Sequence, residues 1–267
     1  AKRQSPQAVY AQGGMEAVLE DTRQVNQGLL SYGINVNFAP VADVSTDSSD
    51  FIYDRSFGQD AAATADYVSQ VVTEMDTVGI GSVLKHFPGY GSNTDTHTGV
   101  AIDERPYETF INGDFLPFQA GIDAGAGCVL VNHNVVESMD GTLPASLSPA
   151  VVTDLLRERM GFDGVVFTDD LTMGAVSNTY GMGEAAVLAV EAGCDVLLVC
   201  HGRDNLQAAY EALLDAVDSG RISQQRLNES VYRILTLKGE FDLNSAWVPA
   251  PDVDQLNAQL DELLAAL

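Results

Sequence analysis

Hydrophobic positions along this chain follow two alternating rhythms. Five short, nearly unbroken apolar runs each open on a glycine: GINVNFAPVAD at 33–43, GIGSVLKHF at 79–87, GAGCVLVNH at 125–133, GFDGVVFTDD at 161–170 and GCDVLLVCH at 193–201. Such runs predict parallel strands buried on both faces. The leading glycine fits the left-handed position that closes a helix, where a Cβ is strained. The intervening segments carry apolar residues at helical spacing. The segment 8–30 places Val9, Val18, Leu19, Val25, Leu29 and Leu30 this way, and 60–78, 107–124, 149–159, 183–192, 203–219 and 223–237 follow. Ser148-Pro149 and Ser223 are suitable helix starts. A last stripe, Val253, Leu256, Leu260, Leu263, Leu264 and Leu267, predicts one more helix with a core or interface face.

Strand and helix in alternation predict an α/β fold, as an open parallel sheet or a β/α barrel. No linker or low-complexity stretch interrupts it, so residues 1–267 are read as a single domain. Five βα units are visible, whereas a barrel of ~250 residues needs eight, about three more than this chain supplies.

Charge narrows the partners. The chain has 38 acidic and 13 basic residues, a net charge of −25, which argues against nucleic acid and anionic membranes. No apolar run reaches the ~18 residues of a membrane span. The chain starts inside an amphipathic segment and shows no signal peptide itself, which leaves open a signal carried by whatever precedes it. Cys128, Cys194 and Cys200 are odd in number and have no metal-ligand spacing, so all three are expected as buried free thiols. Nothing points to a metal or organic cofactor.

Polar residues gather at the carboxyl ends of the runs, the edge where α/β folds build ligand sites. The densest group is KHFPGYGSNTDTHTG at 85–99. Lys85 and His86 alternate on a regular strand, yet the bend at its end lets both reach one pocket; otherwise Lys85 snorkels and His86 caps a carbonyl. The glycines of this loop lack the strand–turn–helix order of a phosphate cradle. Asp95 and His97 form either a carboxylate–imidazole pair suited to acid/base work or a turn in which Asp95 bonds its own backbone. At 167–170, FTDD offers two carboxylates that alternate. Asp169 is the candidate nucleophile, base or ligand, and Asp170 reads as a helix N-cap. Arg55 is either a cation for substrate hydroxyls or a surface ion pair. His133 ends the third run and can line the same pocket; His201 ends the fifth and reads as peripheral.

Taken in order, NFAPVADV (37–44), RSFG (55–58), KHFPGYGSNTDTHTG (85–99) and VVFTDDLTMGA (165–175) resemble glycoside hydrolase family 3, in its β-N-acetylglucosaminidase (NagZ-like) branch. The Asp-x-His insertion after KHFPG separates that branch from the family's β-glucosidases. The resemblance implies a TIM-type (β/α) barrel and a retaining, double-displacement glycosidase that releases terminal β-linked GlcNAc from peptidoglycan- or chitin-derived glycosides. Asp169 would be the nucleophile, His97 paired with Asp95 the general acid and base, and Arg55, Lys85 and His86 the sugar-binding residues. Because a histidine stands where a second carboxylate is usual, phosphorolysis is an alternative outcome, as is a broad β-glucosidase.

The resemblance also exposes a shortfall. Members of this branch have three βα units before NFAPVADV, the third ending in a D-Q-E-G-G-type motif, so the five runs here would match strands four to eight. A missing N-terminal segment or a second chain is then expected to complete the barrel; the remaining alternative is an inactive fragment. A bacterial setting follows from the resemblance alone, and the compartment is left open.

Overall fold

The computed structural model describes residues 4–96, 99–241 and 250–266. Its centre is a five-stranded parallel sheet of β1 (Val36–Asn37), β2 (Gly81–Phe87), β3 (Cys128–Val131), β4 (Val165–Asp170) and β5 (Val196–Leu198), paired in chain order. Helix α1 (Pro6–Ser31) precedes the sheet. The connections then run through α2 (Ala61–Val78), α3 (Phe115–Asp123), a π-type helix (Ala150–Arg159) and α4 (Met182–Ala192). Helices α5 (Arg203–Asp218), α6 (Gln224–Glu240) and α7 (Val253–Ala266) follow β5. A sheet wound steadily in one direction, without a reversal of strand order, collects its crossover helices on one face.

The two faces of the sheet are distinguished residue by residue. Leu84, Phe87, Val129, Val131 and Val166 pack against Val68, Val71, Met75, Phe118, Leu155, Leu156 and Ala189 of the helical layer. The alternate residues Val83, Cys128, Leu130 and Val165 form a second cluster with Val36, Phe38, Phe167, Val196 and Leu198. Ile234 and Leu237 of α6 pack against this second face. Both faces are therefore apolar, which is why the strands read as continuous hydrophobic runs.

The glycines that open the five runs, Gly33, Gly79, Gly125, Gly161 and Gly193, all have positive φ. Gly79 and Gly193 close α2 and α4 in the left-handed region. Ser5, Asp60 and Ser223 each accept a hydrogen bond from a first-turn amide and start their helices.

Three expectations change. The first run yields only two ladder residues plus an isolated bridge between Val41 and Lys85, because Pro40 has no N–H to donate. The single helix expected over 107–124 is two, Tyr107–Asn112 and Phe115–Asp123. Gly113 leaves helical geometry between them, and the Asp114 side chain turns inward to Arg105. Cys128 and Cys194 are buried free thiols as expected, but Cys200 is exposed. Its backbone N–H is captured by Asp170 Oδ1 at 3.0 Å, beyond the end of β5.

A buried carboxylate ties the amino-terminal side of the sheet together. Asp195 accepts hydrogen bonds from Arg157 at 2.6 Å, Ser230 at 2.6 Å, Arg233 at 3.3 Å and the Val166 amide at 3.0 Å, with Arg226 3.6 Å away. These contacts fasten α6 and the π-type helix to the start of β5.

Candidate active site

The carboxyl edge of β2 is organised by Asp43, a fully buried residue at the end of the first run. Asp43 Oδ2 accepts from the His86 backbone N–H at 2.9 Å and pairs with His86 Nδ1 at 2.7 Å. Its Oδ1 accepts from the Tyr90 N–H at 2.8 Å. On the far side of the ring, Arg55 Nη2 lies 3.1 Å from His86 Nε2. A guanidinium can only donate, so Nε2 accepts and Nδ1 carries the proton given to Asp43. Arg55 itself sits on the turn Tyr53–Arg55 and is exposed.

Lys85 precedes His86 through a cis peptide and is half-buried. Burial, followed by the charge of Arg55, pushes its pKa down, while Asp169 and Asp43 pull it back up. The Lys85 amine is thus within electrostatic reach of all three residues. Tyr90 packs edge-on against the His86 ring, with centroids 5.3 Å apart, and tilted against Phe51 at 5.6 Å. Burial pushes its phenol up, reinforced by the charges of Asp169, Asp43 and Asp95 and opposed by its bond to Thr96.

The segment after β2 is seated on a cluster that the sequence reading did not single out. Arg105 donates to Asp103, to Asp114 Oδ2 at 2.9 Å and to the Gly89 carbonyl at 3.4 Å, and stacks over Phe110 at 4.2 Å. Gly89 and Gly91 both have positive φ, and a Cβ on either would overlap Asp114 or Arg105 respectively. Asn93 then donates to Asp103 Oδ2 at 2.6 Å. Asp95 is half-buried, and Thr96 is fully buried. His97 lies outside the described residues.

The two carboxylates of β4 have separate positions. Val165 and Phe167 belong to the cluster on the face away from the crossover helices, and Asp169 continues that alternation. It is half-buried, with Oδ1 accepting the Asp170 N–H at 2.9 Å. Asp170 is consumed by structure: it accepts from Thr172 and from the Cys200 N–H, and pairs with His201 Nδ1 at 3.0 Å. Burial works against its charge, but these bonds together hold its pKa below the ordinary range. His201 is exposed at the periphery.

His133 corrects the sequence expectation. It is fully buried, with Nδ1 2.7 Å from Ser146 Oγ and Nε2 3.0 Å from the Asp170 carbonyl. It braces the turn after β4 instead of lining the pocket. At the carboxyl edge of the sheet Arg55 touches His86, and the Lys85 amine lies within electrostatic reach of Arg55 and Asp169. Among the described residues, no group of three or more His, Cys, Asp or Glu side chains could hold a metal ion. Nor is any helix among them long and apolar enough to cross a membrane.

The sequence matches the glycosyl hydrolase family 3 N-terminal domain over residues 4–237. The chain belongs to that family. Among bacterial family 3 relatives it is 33% identical over 213 residues to a beta-hexosaminidase of Nitrosomonas eutropha, covering 78% of this chain and 61% of that protein. It is 41% identical over 170 residues to a beta-hexosaminidase of Stenotrophomonas maltophilia, covering 63% and 50%. A solved family 3 beta-N-acetylglucosaminidase from Paenibacillus aligns with a TM-score of 0.89 at 35% identity, over 97% of this chain and 51% of its own. The chain therefore spans about half to three fifths of the length of these relatives.

Proposed function

We propose that the chain carries the catalytic edge of a retaining exo-β-N-acetylglucosaminidase. The contact of Arg55 with the Asp43-held His86, beside a Lys85 amine within electrostatic reach of both Arg55 and Asp169, is the observation that carries this reading. In the first step the Asp169 carboxylate attacks the anomeric carbon, and the bond to the leaving oxygen breaks as His97 gives that oxygen its proton. In the second, His97 takes a proton from water, whose oxygen displaces Asp169. Each step conserves charge, and neither needs a metal or cofactor. Arg55 and Lys85 supply cationic donors for sugar hydroxyls, and His86, locked in one tautomer, supplies a fixed edge between them. The beta-hexosaminidase names of the relatives support β-linked GlcNAc as the sugar. Peptidoglycan- or chitin-derived glycosides are the substrates we infer for it.

In this reading the sheet is one part of an eight-stranded (β/α) barrel, equivalent to its fourth through eighth strands. The outer edge of β5 supports it. Val196, Leu197, Val199, Leu206, Tyr210 and Leu213 line an apolar groove of 370 Å³ there. Leu206 and Tyr210 are more than half exposed. A further strand paired on β5, with its helix against α5, would cover both this groove and a ladder edge that has no partner among the described residues. The segment that does so belongs either to the same polypeptide or to a second chain.

The direct test is hydrolysis of an aryl β-GlcNAc and the matching aryl β-glucoside, with and without phosphate, by the protein that contains this chain. Release of free GlcNAc with retained configuration is expected. Preferred cleavage of the glucoside, or a GlcNAc-phosphate product, would replace this reading with one of its neighbours.

A further inference from the structure

We propose that Thr96 is a positioning residue that fixes the height of Asp95 by tying its segment to two walls of the site. The proposal rests on the acid/base reading of Asp95 given above and adds to it a residue with no part in bond making. Within 92–96, Ser92 and Thr94 are exposed and Asn93 and Asp95 half-buried, yet Thr96 has no exposed surface. A hydroxyl withdrawn from water in so polar a segment costs free energy unless it is bonded.

Thr96 is bonded on both sides. Its Oγ1 meets the Tyr90 hydroxyl, and Tyr90, only 1% exposed, gives its backbone N–H to Asp43. That first tie therefore ends on the carboxylate that also holds His86. The Thr96 carbonyl accepts from the Ala175 N–H at 3.1 Å, in the turn that follows Asp169 and Asp170. Three residues earlier, Asn93 is fixed by Asp103 Oδ2 and the Tyr90 carbonyl. Asp95 lies between these anchors, and its charge is felt by the Tyr90 phenol. The sugar-binding segment and the nucleophile strand are thereby connected through one threonine. Proton transfer is sensitive to donor placement, so slackening this tie should tell most on substrates that need the acid.

The test compares Thr96→Val, which keeps shape and loses the hydroxyl, with Thr96→Ser, which keeps the hydroxyl, in the full-length protein. Two readouts are taken: amide hydrogen exchange over 92–96, and kcat/KM on an alkyl β-GlcNAc relative to a nitrophenyl β-GlcNAc. Thr96→Val should exchange faster over 92–96 and lose ~10-fold or more on the alkyl substrate beyond its loss on the nitrophenyl one, since general-acid help is worth 10²–10⁴. Thr96→Ser should recover both. Adding Tyr90→Phe to Thr96→Val should cost little more, because the two hydroxyls share one bond. Wild-type exchange in Thr96→Val, or equal losses on both substrates, overturns the proposal. A wild-type protein that cleaves neither substrate overturns the functional reading instead, and the exchange comparison still decides whether Thr96 fixes the segment.

Discussion

Asp43 holds His86 twice with one oxygen: Oδ2 accepts both the backbone N–H, at 2.9 Å, and the ring Nδ1–H, at 2.7 Å. Its other oxygen takes the Tyr90 N–H. An ionised carboxylate suits three donors, whereas an amide presents one acceptor oxygen and a donor nitrogen. Asp43→Asn should leave one of the three unpaired and loosen the ring from Arg55. Hydrogen bonds to charged groups are worth about 1.5–3 kcal/mol, so kcat/KM should fall roughly 10- to 100-fold. With four histidines in the chain, ring ¹⁵N shifts can report the His86 tautomer directly. A variant with the wild-type tautomer and rate would remove Asp43 from this role.

Lys85 offers a second measurement. Burial and Arg55 depress its pKa, and Asp169 opposes them. Removing the carboxylate by Asp169→Asn should depress it further, and Arg55→Gln should let it rise. The chain has three lysines, so ¹³C-methylated protein gives a spectrum simple enough to follow each one. A Lys85 resonance that ignores both substitutions would place its amine away from the other two residues.

The interior Asp114 makes stability depend on pH. Its burial, opposed by Arg105, pushes its pKa from 3.8 up to about 6, and among the described residues Oδ1 has no hydrogen-bond partner. The folded state thus keeps a proton that the unfolded chain releases. Stability from this group is highest below about pH 4 and declines as pH rises towards 6, levelling off above it. The loss is at most about 3 kcal/mol. Asp114→Asn should match the wild type near pH 4 and exceed it near pH 7 in urea unfolding. Identical pH profiles for the two proteins would contradict the assignment.

The architecture was legible where chemistry is local. Runs of buried β-branched residues, and the glycines that must adopt positive φ before them, mark all five strands and their order. FTDD was legible in part: strand alternation separates Asp169 from Asp170, but Asp170 bonds Thr172 and Cys200 instead of capping a helix, and the next helix starts from Met173 without a side-chain cap. What stayed hidden depends on distant partners. Asp43 lies 43 residues from His86, and its importance comes from a tertiary contact that neither local sequence signals. Arg105, Asp103 and Asp114 look like surface charges until the loop carrying Gly89 and Gly91 folds over them. His133 misled for the opposite reason. A strand-end position implies a pocket-facing residue, yet Ser146 and the Asp170 carbonyl claim both ring nitrogens.

Adjacent carboxylates on β4 should respond in opposite ways to the same change. Asp169 has one backbone hydrogen bond, from its neighbour, and its other oxygen is not committed to any bond described. Asp169→Asn should preserve folding and abolish hydrolysis of aryl β-GlcNAc, by roughly 10⁴-fold or more for loss of a covalent nucleophile. Asp170 joins the turn at Thr172 to the end of β5 through Cys200 and His201. Asp170→Asn should therefore lower the unfolding free energy, by on the order of 1–3 kcal/mol for disrupted charged hydrogen bonds, with a far smaller effect on the chemical step. The discriminating measurement is burst kinetics with an activated substrate alongside urea unfolding. If Asp169→Asn still accumulates a glycosyl-enzyme, or if Asp170→Asn is the variant that loses it, the two residues have been assigned the wrong way round.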